Sequence, residues 1–170
     1  DKYGIMLIAD EVMSGFGRTG KWFAIDHWGV TPDIMTMAKG LTSAYVPLGA
    51  AVVTDTIAEY FEDRPLLAGL TYNAHSVGCA AAVACIEIYK SDKLIENAAA
   101  MGEILRVELE KMKAKHPSVG DVRSIGLFSI VERVNNRDTR EPLVPYNANP
   151  TEWGPRPAVN AYLREHGGFT

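Results

Sequence analysis

The chain has 170 residues, a net charge of −4, 47% hydrophobic and 22% charged residues, which is ordinary for a globular protein of one domain and part of another. No basic block is present, so nucleic acid is not an expected partner, and the longest small apolar stretch, Val77 to Ile86, is too short to cross a bilayer.

The chain opens on Asp1-Lys2-Tyr3-Gly4 with neither an initiator methionine nor a signal peptide, and closes on Gly167-Gly168-Phe169-Thr170. Both ends are expected to be cut from something longer. The first element is the apolar run Ile5-Met6-Leu7-Ile8-Ala9, which ends in Asp10-Glu11. It lacks helical periodicity and predicts a strand buried on both faces. Ser14-Gly15-Phe16-Gly17-Arg18-Thr19-Gly20 follows, and its glycines predict a loop with tight turns and close backbone approaches. Trp22-Phe23 and Trp28 supply bulk for packing. Thr31-Pro32-Asp33 is a turn into a second buried strand, Asp33 through Ala38, ending in Lys39-Gly40.

Leu48 to Thr54 predicts a third strand. Asp55-Thr56-Ile57 begins a short helix that should end near Arg64-Pro65, because proline disfavours helix at the residue before it. Ser76 is expected to cap a helix running through Tyr89, whose small residues would admit another backbone. Cys79 and Cys85 fall within it, point to different faces, and read as small buried hydrophobes with no mutual bridge. The absence of a disulfide framework fits a reducing cytoplasm.

Ser91-Asp92 predicts the N-cap of a long amphipathic helix ending before His116-Pro117. Its apolar face is expected at Leu94, Ala98, Met101, Leu105, Leu109 and Met112, with Glu108–Lys111 and Glu110–Lys113 pairs on the outer face. Val119 to Val134 reads as one or two strands around Gly126, Asn135 to Pro157 as a long polar loop, and Ala158 to Glu165 as a helix. A domain boundary is expected near the long helix, separating residues 1–91 from 92–170.

Open α/β sheets bind ligands just beyond the carboxyl ends of their strands. Here two such ends deliver Asp10 and Lys39. Either residue alone reads as an ordinary solvated charge or cap. Together, with a glycine-rich loop between them, they suggest pyridoxal phosphate: the lysine would hold it as a Schiff base, and the acid would pair with the pyridinium nitrogen. A nucleotide-binding α/β domain is disfavoured, because the Gly15 to Gly20 stretch does not clearly open a helix as a P-loop does.

Several ordered motifs sharpen this. Asp10-Glu11-Val12, Gly15-Phe16-Gly17-Arg18-Thr19-Gly20, Pro32-Asp33-Ile34 through Ala38-Lys39-Gly40, and Pro47-Leu48-Gly49-Ala50 resemble the class III aminotransferases of fold type I. The resemblance implies an α/β fold: part of a large pyridoxal phosphate-binding domain with a mostly parallel sheet and helices on both faces, over residues 1–91. Residues 92–170 would be the connecting helix and the start of an α+β C-terminal domain. It assigns Lys39 to the Schiff-base lysine and Asp10 to the ring-nitrogen partner. Val12 matches the apolar residue on one face of the ring, with plain strand-end packing as the alternative. Thr71 matches the threonine that reaches the cofactor phosphate of the other subunit of a homodimer, with a local turn hydroxyl as the alternative. Glu11 takes a supporting hydrogen bond, Arg18 belongs to the loop, and Ser43, Ala44 and Tyr45 would line the channel near the lysine.

Asn73-Ala74-His75-Ser76 departs from the family's usual residues after the threonine, and His75 reads as a hydrogen-bonded loop or interface histidine. The phosphate-cradling loop and the ring-stacking aromatic would precede Asp1. A carboxylate-binding arginine would lie near or beyond Thr170, with Arg164 a poor substitute. The expected reaction moves an amino group from an ω-amino acid or amine to a keto acid such as pyruvate. An aminomutase or decarboxylase on the same scaffold, or a piece inactive by itself, remain the alternatives.

Overall fold

The structure, a computed structural model, describes residues 2–167. In chain order these form β1 (Ile8–Asp10), β2 (Ile34–Met37), β3 (Ala50–Val53), α1 (Asp55–Tyr60), α2 (Ser76–Ser91), α3 (Leu94–Lys115), β4 (Val119–Ile125), β5 (Phe128–Asn136), β6 (Glu141–Pro142) and α4 (Arg156–Glu165). Short 3-10 turns occupy Ala24–His27, Lys39–Leu41 and Pro150–Glu152. The chain divides into two compact units. One gathers the chain up to Leu105 with Ser124–Phe128, and the other gathers Arg106–Arg123 with the chain from Ser129 onward.

The first unit holds the sheet β1-β2-β3. β1 runs parallel to β2, with Ile8 opposite Ile34 and Asp10 opposite Thr36. β2 runs antiparallel to β3, with Ile34 opposite Val53 and Met37 opposite Ala50. The sheet is therefore mixed rather than mostly parallel. Residues 11–33 make the parallel crossover, whereas residues 38–49, which hold no element beyond the turn Lys39–Leu41, lead back into an antiparallel strand. The core gathers Met37, Leu41 and Ala82, with Phe16, Phe23, Met35, Leu48 and Ile86 packed against them.

Burial on both faces holds for neither of the first two strands. Ile8 is 59% exposed, and of the residues in β2 Met37 is the buried one. Apolar content states what a strand prefers and not what covers it. Trp28 is likewise exposed rather than packed, while Trp22 and Phe23 are half-buried.

Three helix expectations also need correction. α1 stops at Tyr60, ahead of Arg64-Pro65. α2 is capped by His75, whose Nδ1 accepts from the Val77 amide at 3.3 Å, so Ser76 is its first residue. Ser91 closes α2 and Asp92 is its C-cap, so neither caps α3. Within α2, Cys85 is buried but Cys79 is exposed, and both thiols are free.

The buried line of α3 runs through Ile95, Ala98, Gly102 and Leu109, while Leu94 and Met101 stay about 40% exposed. Gly102 sets this phase. A Cβ there would lie 2.5 Å from Gly126 Cα, and a Cβ on Gly126 would lie 2.3 Å from the Thr19 carbonyl carbon. Three backbone segments of the first unit thus meet with no room for side chains.

The second unit contains the sheet order β4-β5-β6. β6 pairs antiparallel with β5 across a bulge between Val134 and Asn136, so the expected long loop contains a short strand and a 3-10 turn. Arg137 closes the end of α3: its guanidinium donates to the carbonyls of Lys113, His116 (2.7 Å) and Val119 (2.8 Å). Such donors satisfy carbonyls that a helix end leaves unpaired. Lys113 bonds Asp121 at 2.7 Å rather than the expected Glu110, because β4 brings a carboxylate within reach; Glu108–Lys111 forms as expected at 2.7 Å. The Lys113 ammonium holds the Asp121 carboxyl below its usual range, and the bond that Arg123 donates to the Glu132 carboxylate raises the pKa of its guanidinium.

Candidate active site

The site begins with Glu11. Its amide donates to Thr36 O at 2.9 Å, extending the β1–β2 ladder. Its carboxylate, on a residue only 3% exposed, accepts from Ser14 Oγ (2.5 Å), the Ala24 amide (3.0 Å) and the Ile25 amide (2.8 Å). A buried carboxylate without donors would cost several kcal/mol, roughly, so these bonds define where it can sit. They clamp the glycine-rich loop at both ends. Within that clamp, a Cβ at Gly15 would lie 2.8 Å from Glu11 O, and Gly17 adopts φ +94° against Ile95. The close approaches expected of this loop are present.

Lys39 follows β2 directly and opens the 3-10 turn Lys39–Leu41. Its backbone is left-handed (φ 35°), as are those of Ser43 (48°) and Ala44 (62°). Each such conformation costs about 1–3 kcal/mol for a residue with a side chain. Backbone bonds support the turn: Lys39 O accepts from the Thr42 and Ala44 amides at 3.3 Å, and buried Thr42 donates its hydroxyl to Val46 O at 2.7 Å. Tyr89 reaches across from α2, and its hydroxyl lies 2.5 Å from both Gly40 O and Ser43 Oγ.

These pieces border a cavity of about 480 Å³, a size suited to a cofactor or small substrate. Lys39, Ser43 and Ala44 line it, together with Phe16, Arg18 and Tyr89. Of the seven described non-glycine residues with positive φ, four (Phe16, Lys39, Ser43 and Ala44) line this one cavity. Strain of that kind collects at functional sites.

The other candidate residues are placed differently. Asp10 ends β1 opposite Thr36, so it and Lys39 leave the same end of adjacent parallel strands. Asp10 is exposed, its Oδ1 accepting from the Val12 amide at 3.0 Å. Val12 is half-buried, and Thr71 is exposed within a turn. None of Asp10, Val12 and Thr71 is among the residues lining the cavity. Ser43 and Ala44 line it as expected, but Tyr45 is 83% exposed and does not.

The amine that Lys39 brings to the cavity fits pyridoxal phosphate in its chemistry, while the Asp10 carboxylate stands at the neighbouring strand end, outside the lining. Sequence reasoning missed Tyr89. It stands in an alanine-rich helix far along the chain from Lys39, and nothing in its spacing marks it.

Known proteins resemble this chain over most of its length. The family described as aminotransferase class-III matches residues 1–156. A taurine–pyruvate aminotransferase of Bilophila wadsworthia is 44% identical over 155 residues, covering 88% of this chain and 34% of that protein. A putrescine–pyruvate aminotransferase of Pseudomonas aeruginosa is 43% identical over 141 residues, covering 82% of this chain and 31% of that protein. The crystal structure of a taurine:2-oxoglutarate aminotransferase from Bifidobacterium kashiwanohense, in complex with PLP and glutamate, superposes with a TM-score of 0.94 at 46% identity. It is covered over 37% of its length by the whole of this chain. The chain thus spans about a third of the length of these relatives.

Proposed function

The chain belongs to the class III aminotransferases, and on that premise we propose that it is the lysine-bearing part of a longer pyridoxal phosphate-dependent transaminase. The observation that carries this reading is Lys39, held in a left-handed backbone beside a cavity, at the strand end next to Asp10. Pyridoxal phosphate, when bound, supplies an aldehyde that exchanges amines and a ring that takes up the electron pair left by proton loss.

The chain's own residues would do the rest. Lys39 Nζ would hold the cofactor covalently and, once displaced by the substrate amine, would carry the proton that leaves the substrate α-carbon. The Asp10 carboxylate would keep a proton on the ring nitrogen, a stabilisation of charge that is often the largest catalytic contribution. Val12 would pack against one ring face. Thr71 would give its hydroxyl to a phosphate in the neighbouring subunit of a homodimer, as its exposed place in a turn allows. Residues 1–91 would complete a large cofactor domain of fold type I, and residues 92–170 would begin the small C-terminal domain.

For substrates we propose an ω-amino acid or amine donor with pyruvate as acceptor, supported by the taurine–pyruvate and putrescine–pyruvate relatives. The relative with a TM-score of 0.94 is named for 2-oxoglutarate, which makes that keto acid the second acceptor to test.

The test uses the longer protein loaded with pyridoxal phosphate. Borohydride should fix the cofactor on Lys39, and Lys39→Ala should lose both the fixed label and the visible absorption. A label found on another lysine would overturn the assignment. A panel of taurine, β-alanine and putrescine against pyruvate and 2-oxoglutarate then sets donor and acceptor.

A further inference from the structure

We propose that Tyr89 is a positioning residue for Lys39, its phenol fixing the turn that carries the amine. The proposal rests on Lys39 being the lysine that holds the cofactor. Its physical basis is the proton count of three polar groups. Tyr89 has one hydroxyl proton, and the Gly40 carbonyl can only accept. Tyr89 therefore donates to Gly40 O, and Ser43 donates to the Tyr89 oxygen, both at 2.5 Å. The result is a directed chain, Ser43 to Tyr89 to Gly40, with no proton of Tyr89 left over for the cavity.

This chain grips the turn at two points within its strained part. Gly40 adjoins Lys39, and Ser43 adjoins Ala44; Lys39, Ser43 and Ala44 all hold φ values that side chains disfavour (35°, 48° and 62°). A turn of that kind relaxes unless something outside it holds it. The phenol is itself held, because its ring packs 6.2 Å from Phe16 and 6.4 Å from Trp22 between centroids. Those contacts belong to the ring and survive loss of the hydroxyl. Removing the oxygen thus separates the clamp from the packing.

The experiment compares Tyr89→Phe, Ser43→Ala, Lys39→Ala and the parent in the longer, cofactor-loaded protein. In Tyr89→Phe, cofactor should still bind to Lys39, but the pH midpoint of its visible absorption should move by about half a unit or more. The half-reaction kcat should fall about tenfold with KM changed less than about twofold. In cofactor-free protein, amide hydrogen exchange across residues 40–44 should quicken about tenfold, a readout independent of activity. Ser43→Ala should shift the midpoint and the exchange in the same direction by less.

Parental midpoint, kcat and exchange in Tyr89→Phe would overturn the proposal. If that variant does not fold, parental values in Ser43→Ala overturn it instead. Visible absorption persisting in Lys39→Ala would sink the assignment of Lys39, while the exchange data would still judge whether Tyr89 holds the turn.

Discussion

Thr19 is the residue where burial and chemistry disagree most plainly. It is 2% exposed, and its Oγ1 has no hydrogen-bond partner among the described residues. A hydroxyl taken from water without a partner costs about 1–3 kcal/mol. Its carbonyl, by contrast, is used, lying 3.1 Å from His27 Nε2. Thr19→Val keeps the shape and the carbonyl and removes the stranded oxygen, so the variant should be as stable as the parent or more so, by up to about 1 kcal/mol. A urea titration decides it. A variant less stable by more than about 1 kcal/mol would mean the hydroxyl has a partner, such as bound water, that the chain alone does not show.

At the scale of elements, α3 shows a conflict between propensity and space. Gly102 lies inside a helix, where alanine is favoured over glycine by about 1 kcal/mol. Yet an added Cβ would sit 2.5 Å from Gly126 Cα and 2.7 Å from its carbonyl carbon. Those are backbone atoms, unable to swing away as a side chain can. Overpacking typically costs about 1–3 kcal/mol and occasionally more, so space should win. Gly102→Ala is expected to lower the thermal midpoint despite its better helix former, and a raised midpoint would show that the segments can separate. The same glycine explains why the helix was legible in the sequence while its phase was not. The steps of three and four announced a helix ending before His116. A count of apolar residues favoured Leu94 and Met101, and had no means of valuing a glycine that is buried for closeness. Lys39 was legible for the opposite reason: an apolar strand that ends in an amine is a local signal. Tyr89 acts through α2, at a distance set by the fold.

A second element-scale prediction concerns the end of α3. Lys113 donates to Asp121 at 2.7 Å and holds that carboxyl below its ordinary value of 3.8. A depressed folded pKa adds stability that is complete above the unfolded pKa and is lost as pH falls through the folded one. The thermal midpoint should therefore drop on acidification below about 4, and drop less steeply in Asp121→Asn. Equal slopes in parent and variant would show that other carboxylates govern this window.

For the whole molecule the decisive quantity is uncovered apolar surface. Ile5, Met6 and Ile8 are 75%, 63% and 59% exposed on and before β1, and β1 is an edge of its sheet. Leu67 and Leu70, just ahead of the turn of Thr71, are 94% and 78% exposed. Parallel strands are normally covered on both faces, and an exposed apolar edge is a template for pairing with another chain. The solved relative that superposes over this whole chain is covered over only 37% of its length, so it has ample chain with which to cover such surface. The 170 residues expressed alone should accordingly bind a hydrophobic dye and self-associate at micromolar concentration, whereas a longer protein carrying them should do neither beyond its native assembly. Light scattering and dye fluorescence measured side by side make the comparison. A monodisperse, dye-silent monomer from the 170 residues would show that β1 needs no cover, and would remove the physical support for reading this chain as part of a larger enzyme.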